Sequence, residues 1–350
     1  MHDSTPIDIV YLWVDGNDPA WRRKRRAAAA QLGLRLHRAM GAHGNVEGRF
    51  RDNDELRYSL RALDRFFPAH GHIYLVTDAQ TPAWLQPSDR LTVIDHSSLI
   101  PAASLPTFDS SHIESYIHHI PNLSERFFYL NDDVFFGAPV QLDDWFWDGG
   151  VYAAWSDEPE VEDGPLRRDA DSMDNASRLS RQWLSQAFAT PPGDLPVLPR
   201  VVPYEHTFST FAHSPRPMRR SVLFYLEQLA PEMFASVRST VFRTWDKPTI
   251  VADFVIRWAL AHGLARIRAH THLHVQTGGG DVAYQLDLLR SLVGAVDFFC
   301  INDTTDDAGP GDPRLAQVRA ALEALFPQPS RYEQPASTAQ ARIAMRTPGG

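Results

Sequence analysis

The residues best placed to do chemistry in this sequence stand where apolar runs end. IVYLWV leads into Asp15-Gly16, IYLVT into Asp78, FFYL into Asn131-Asp132-Asp133, and FFCI into Asn302-Asp303. If these runs are parallel strands, their carboxyl ends gather at one edge of an open α/β sheet, where such sheets bind ligands. Carboxylates collected there repel one another unless a cation or a proton neutralises them. A divalent cation with oxygen ligands, Mg2+ or Mn2+, holding a nucleotide diphosphate meets that need. Asp and Asn also begin ordinary turns, which is explanation enough for any one of these positions. At Asn131-Asp132-Asp133, set between FFYL and VFF, the functional reading is the better one.

Other candidates are single groups. LPTFDSSHIE (105–114) reads as a loop entering a helix; its N–H groups could hold phosphate, although Ser and Asp commonly stand there as caps. Glu114 falls in the first turn, where the helix dipole favours a carboxylate. His213 lies in HSPRPMRR beside Arg216, Arg219 and Arg220, a base among cations that suits an anion pocket. His270, His272 and His274 alternate on one strand face, read as a solvated face because no further metal ligand is evident. No nucleophile elbow, P-loop or dinucleotide fingerprint is present.

These groups need positioning elements, and the chain supplies an alternation of apolar runs and helical stretches that fits an α/β fold. Strands are expected over 7–14, 72–77, 91–94, 127–130, 151–155 and 296–301. Leu56, Leu60 and Leu63 form a buried helical stripe, with Asp52 as its N-cap and Glu55 three residues on. Further helices are expected over 221–234, 251–262 and 313–326. Residues 157–200, acidic and then proline-rich, read as an insertion or lid on a single domain spanning 1–326. Residues 327–350 read as a flexible tail. RRKRRAAAA, residues 22–30, reads as a solvated helix face or an anionic-surface patch.

Composition excludes several classes. Of the 350 residues 43% are hydrophobic and 22% charged, and the net charge is −9. That is ordinary globular composition, and a chain this acidic is no nucleic-acid binder. Cys300 is the only cysteine, which excludes an internal disulfide and a multi-cysteine zinc site. With no apolar run long enough to span a bilayer and no signal-peptide pattern, a cytoplasmic protein is expected, with peripheral association at the inner face of a membrane as the alternative. Lys24 and Lys247 are the only lysines among 34 basic residues, so arginine is used here as the general cation.

Three stretches carry a resemblance. IDIVYLWVDGNDPAW, RDNDELRYSLRALDRFFP with IYLVTDAQTPAWL, and LPTFDSSHIESYIHHIPNLSERFFYLNDDVFFG closely resemble the first two motif regions of the Stealth proteins. HSPRPMRR with FRTWD, and FFCINDTTDD, are similar to the third and fourth. Stealth proteins are sugar-1-phosphate transferases of bacterial capsule synthesis, similar to the animal enzyme that tags lysosomal proteins. The resemblance implies a Rossmann-like, GT-A-like nucleotide-sugar transferase fold with helices on both faces of the sheet. It implies a nucleotide-sugar donor, a UDP-sugar above others, and a polysaccharide or oligosaccharide acceptor. It also implies catalytic roles for Glu114, Asp132, His213 and Arg243, and nucleotide-side roles for Asp15, Gly16 and Asn302. Asp132, Asp133 and Asp303 would hold the metal, and Asp246 or Asp253 would serve as acidic partner to Arg243. The rival readings are a metal-dependent glycosyltransferase releasing nucleoside diphosphate and a non-catalytic sugar-nucleotide-binding protein.

Overall fold

Asp8–Leu12 (β1) is buried at every position, as is Ile73–Thr77 (β2). Such continuous burial marks central strands of a parallel sheet covered on both faces. The computed structural model describes residues 6–335 apart from 42–43, 190–207 and 310. The other strands are Leu91–Asp95 (β3), Arg126–Asn131 (β4), Val134–Phe136 (β5), Phe146–Trp147 (β6), Gly150–Ala153 (β7), Arg216–Arg219 (β8), Ala265–Ile267 (β9), His272–Gln276 (β10) and Phe298–Asn302 (β11). All six expected strands form with ends shifted by up to two residues, and β3 and β4 run longer than expected.

The main sheet runs β3-β2-β1-β4-β8; its first four strands are parallel and β8 closes the edge antiparallel to β4. The chain builds outward from β1 to β3, then returns to the other side of β1 for β4. The strand order therefore reverses between β1 and β4, and a crevice opens beyond their carboxyl ends. Leu12 pairs with Asn131 in this register, so Trp13 and Asp132 follow at the same level. The expected α/β class is borne out by this doubly wound core.

A second sheet, β10-β11-β5, sets Cys300 opposite Val134 and so brings the loop after β11 beside the Asn131–Asp133 turn. Phe135 stacks on its cross-strand partner Phe299 with ring centres 4.6 Å apart, holding β5 to β11 at that point. A third small sheet is β6-β7-β9.

Local chemistry modifies several expected boundaries. The stripe Leu56, Leu60, Leu63 is buried as expected, but its helix starts at Glu55 behind Asp54, which takes the left-handed conformation at φ 70°. Asp52 closes the preceding turn, its Oδ1 accepting from the Asp54 N–H at 3.0 Å, and so is no cap. The helix expected over 221–234 breaks into Arg220–Leu229 and Pro231–Arg238, because Pro231 has no N–H to continue the ladder and opens a new first turn. The stretch 251–262 begins with a π-helical turn, Ile250–Phe254, before the helix Val255–Ala261.

The tail reading fails for residues 327–335. Tyr332 is 0% exposed, and the buried carboxylate of Glu333 receives Arg57 at 2.5 Å and Arg61 at 2.7 Å. Polar composition suggested a loose segment, but ion pairs with the helix Glu55–Phe66 let these charges be buried. Residues 336–350 lie outside the described residues, as does the proline-rich part of the expected insertion. Its earlier part forms a helix, Ser172–Ala189.

Asp253 and Arg257 form a wholly buried ion pair at 2.8 Å, and Arg257 also donates to Ser177 Oγ and the Ser209 carbonyl. Removing one partner strands a charge away from water. Arg257→Ala is expected to cost about 3–5 kcal/mol of stability in urea unfolding, whereas a loss under about 1 kcal/mol would mean water reaches Asp253.

Candidate active site

A cleft of about 1120 Å3 opens at the β1/β4 switch point. It is large enough for a nucleotide sugar and the end of an acceptor. Glu114, Asp132, Asp133, His213, Arg243, Asn302 and Asp303 all line it, brought together from segments scattered over the chain. Asp15 and Gly16, expected on the nucleotide side, do not line it; Trp13 and Val14 do. Asp15 Oδ1 accepts from the Asn17 N–H at 2.8 Å, closing a turn. Gly16 donates its N–H to the Phe50 carbonyl at 2.6 Å, and a Cβ there would lie 2.0 Å from that oxygen. Gly16 therefore serves close backbone packing, which only a residue without Cβ permits.

Part of the lining is acidic. Asp132 and Asp133 sit in the turn from β4 into β5, partly exposed to the cleft. Asp133 Oδ2 faces the Cys300 thiol at 3.5 Å, and Asp133 Oδ1 is buried without a hydrogen-bond partner. Desolvation raises the Asp133 carboxyl to about 6. Desolvation, then the charges of Asp133, Glu55 and Asp52, raise Asp132 well above the usual carboxylate range. Adjacent carboxylates, an orphaned oxygen and an all-oxygen donor set fit a hard divalent cation at Asp132 and Asp133.

Asp303 has partners of its own. Arg51 pairs with its Oδ2, which Asn53 Nδ2 also reaches at 3.2 Å, and Thr305 donates its N–H and hydroxyl to Oδ1 at 2.9 and 2.6 Å. Asp303, expected among the metal ligands, is paired here with Arg51, which supplies positive charge at its carboxylate. The Asp303 loop packs against Gly48, where a Cβ would meet the Asp303 carbonyl at 2.4 Å.

Glu114 lies 4% exposed at the end of the helix Ser110–Glu114, with Oε1 accepting from the Tyr129 hydroxyl at 2.9 Å and Oε2 unpartnered. Burial raises its carboxyl, against the Tyr129 hydrogen bond and the charges of Arg243, Arg216 and Lys247. The same Tyr129 hydroxyl reaches Asn131 Oδ1 at 2.7 Å. One phenolic proton serves one acceptor, so Glu114, Tyr129 and Asn131 form a chain whose proton placement is set at the cleft wall.

The lining also carries cations. His213 stands open to the cleft, its ring stacked on His274 at 5.1 Å. Desolvation first, and then the proximity of His274, Arg216, Arg49 and Arg243, hold its imidazole neutral, with a pKa lowered to about 3. The ring's water contact limits desolvation, so the crowd of cations is the firmer cause. Arg243 donates from Nη2 to Ser110 Oγ at 2.6 Å. Its acidic neighbour is neither Asp246, which is exposed, nor Asp253, which is held by Arg257, but Asp109 at 4.0 Å. Lys247 binds the other Asp109 oxygen at 2.9 Å, and Asp109 Oδ1 caps the helix by accepting from the Ser111 N–H. The loop 105–110 is thus ordered by capping and ion pairing. Of the arginines beside His213, Arg216 lines the cleft, while Arg219 turns to Glu125 and Arg220 to the carbonyls of His118 and Leu123.

The first part of the expected insertion forms part of the rim. Asp157 lies 3.3 Å from His272 and Glu158 lies 3.8 Å from His274. The alternating histidines are therefore no solvated face. His270 stacks on Trp145 at 4.3 Å, His272 on Phe298 at 5.0 Å and His274 on His213. Among the described residues, one His/Cys/Asp/Glu group has ligand atoms converging within 4.8 Å, namely His118, His119 and Glu227. It lies outside the cleft lining, and Arg238 already neutralises Glu227.

Sequence reasoning missed Arg49, Tyr129 and the Asp109–Lys247 pair. A usable signal existed for Lys247, one of two lysines in an arginine-rich chain. For Arg49 none did, because its place depends on the turn Glu47–Phe50 being held between two distant loops, with Gly48 N–H on the Thr305 carbonyl and Gly41 N–H on the Arg243 carbonyl.

Comparison with known proteins agrees with this order of segments. Models of Stealth conserved regions 1, 2 and 4 match residues 5–33, 49–153 and 293–343. An exopolysaccharide phosphotransferase of Streptomyces coelicolor is 37% identical over 334 residues, covering 94% of this chain and 52% of its own length. The exopolysaccharide phosphotransferase CpsY of Mycobacterium tuberculosis is 34% identical over 340 residues, covering 96% and 59%. The chain thus spans a little over half the length of these two relatives. Solved structures resemble it more distantly. A galactosyltransferase, LgtC, in complex with donor and acceptor sugar analogs has a TM-score of 0.40 at 11% identity, over 95% of this chain and 98% of its own. Mouse xyloside xylosyltransferase 1 has a TM-score of 0.37 at 13% identity, over 86% and 99%. Likeness at that level says nothing about chemistry. With three conserved regions matched in order across more than half its length, the chain belongs to the Stealth family.

Proposed function

We propose that this chain transfers a sugar-1-phosphate from a nucleotide sugar to an acceptor sugar hydroxyl, building a phosphodiester-linked exopolysaccharide. The observation that carries the reading is the cleft lining, which holds the carboxylate pair Asp132 and Asp133 together with His213, Arg216, Arg49 and Arg243. A nucleoside-diphosphate sugar, with UDP as its preferred nucleotide, presents a charged centre suited to such a lining. Asp132 and Asp133 would hold a divalent cation, Mg2+ or Mn2+, which supplies charge neutralisation on the diphosphate.

The acceptor oxygen attacks the phosphorus nearest the sugar as the bond from that phosphorus to the bridging oxygen breaks. Nucleoside monophosphate leaves with the bond pair, and the acceptor proton passes to His213 Nε2 or Nδ1. The guanidinium of Arg243, anchored by Ser110, faces the charge spread over the equatorial phosphoryl oxygens. Entry of the anionic donor offsets the cations around His213 and raises its basicity toward the range useful in catalysis. Glu114, held by Tyr129, orients acceptor or sugar from the cleft wall, or takes the proton in place of His213. A phosphohistidine at His213 is the alternative covalent route.

The test is the fate of label in the phosphorus joined to the sugar. The donor's label is expected in an acceptor diester, with unlabelled nucleoside monophosphate released. Label wholly in nucleoside diphosphate would make the protein a glycosyltransferase. Binding of nucleotide sugar without turnover, over a panel of acceptors, would make it a non-catalytic binding protein. No helix among the described residues is long and apolar enough to cross a membrane; peripheral association with a polymer-synthesis complex is part of the reading proposed here.

A further inference from the structure

We propose that the helices Pro19–Leu32 and Leu34–Ala39 form a docking surface for an anionic lipid bilayer. From Pro19 to Val46 the chain has no Asp or Glu, yet it has Arg22, Arg23, Lys24, Arg25, Arg26, Arg35 and Arg38. This occurs in a chain of net charge −9, so the surface there has the sign opposite to the molecule as a whole. Three of these cations are used internally: Arg22 and Arg25 pair with Glu47, and Lys24 with Asp78. Arg23, Arg26, Arg35 and Arg38 are exposed and form no ion pair among the described residues. Guanidiniums not needed for folding remain available to lipid phosphates.

A second observation separates a bilayer from a soluble polyanion. Leu34, at the joint between the two helices, is 80% exposed, more than any other large hydrophobic residue among those described. Ala27 and Ala30 are also exposed, at helical spacing between Arg23 and Leu34. The opposite side is tied down, with Trp21 and Ala28 buried in a cluster with Phe50, Phe108 and Phe242. The element is rigidly seated and presents arginines around an aliphatic strip, the arrangement that lies in a headgroup layer. A hydrated polyanion offers nothing to Leu34. Trp21 also lines the cleft, so a bilayer on this face would lie near the active site.

The surface is independent of the reaction proposed above, so its test is binding to lipid rather than turnover. Vesicles of phosphatidylcholine with and without phosphatidylglycerol are floated with the full chain. Binding is expected only with phosphatidylglycerol, and it should fall steeply between about 50 mM and about 500 mM salt. Each arginine should contribute about fivefold to partitioning, so Arg23→Gln, Arg26→Gln, Arg35→Gln and Arg38→Gln together should weaken it on the order of a thousandfold. Leu34→Asp should weaken it further at low salt. These side chains are exposed, and unchanged circular dichroism and melting temperature will show that the variants fold. Absence of binding to phosphatidylglycerol vesicles, or equal binding by the quadruple variant, overturns the proposal. Binding of inorganic polyphosphate in preference to vesicles, untouched by Leu34→Asp, overturns it in favour of a polyanion site.

Discussion

Asp132→Asn is expected to lower the rate of sugar-phosphate transfer by about a thousandfold or more while leaving the protein folded. The substitution keeps the volume of the side chain and removes one of two adjacent carboxylate charges at the cleft floor. If a divalent cation held there supplies the roughly 4 kcal/mol that charge stabilisation can contribute, its loss should fall on kcat. Excess chelator should do the same to the parent protein, reversibly. Stability should move the other way. The folded-state pKa of Asp132 lies above its unfolded value, so the favourable contribution of its neutral form is complete below the unfolded pKa and is lost as pH rises through the folded one. Asn is neutral at every pH, so without metal the variant should melt no lower than its parent at pH 8 and above it. Full activity in chelator, or in Asp132→Asn, would remove the cation and this carboxylate from the mechanism. A variant that loses activity together with its melting transition would instead give Asp132 a structural role.

The second large effect concerns His213 and Arg243, thirty residues apart in sequence and in the same cleft lining. His213→Ala and Arg243→Ala should each reduce kcat/KM by about a thousandfold, and the double variant should lose little more than either single one. Groups acting on one phosphoryl transfer are not independent: without the cation at the phosphorus, a base on the acceptor has little transition state left to assist. Losses that multiply in the double variant would place the two residues in separate steps. Ser110→Ala, which removes the hydroxyl that receives Arg243 Nη2, should give a milder loss in the same direction. Unchanged turnover in His213→Ala would leave Glu114, with its unpartnered Oε2, as the remaining base in the cleft.

Much of this arrangement was legible before any fold was known. Apolar runs ending in Asp or Asn identified β1, β4 and β11, because a buried parallel strand must be apolar throughout and its exit into a turn favours those residues. The α/β class followed from the alternation of runs and helical stripes. The gathering of Asp132, Asp133, Glu114, His213 and Arg243 in one cleft agrees with the readings made from strand ends and from the family resemblance. Composition misled at residues 327–335, where a polar sequence conceals a buried tyrosine and a paired glutamate.

The amino-acid sequence by itself determined which segments are strands and which turns carry acid, since both depend on neighbours a few residues away. Only the tertiary structure decided how each charge is spent. Asp303 meets Arg51 across 252 positions of sequence, an ion pair that no neighbouring residue foretells. Lys247 meets Asp109 instead of a carboxylate nearby in sequence. Arg216 faces the cleft while Arg219 and Arg220 leave it, because the pairing of β8 with β4 and the start of the next helix send their side chains elsewhere. A charge buried without a partner is costly, so Asp303, Asp109 and Asp253 are each matched by the cation that the packing brings within reach. That matching is a property of the assembled core, and no local pattern encodes it.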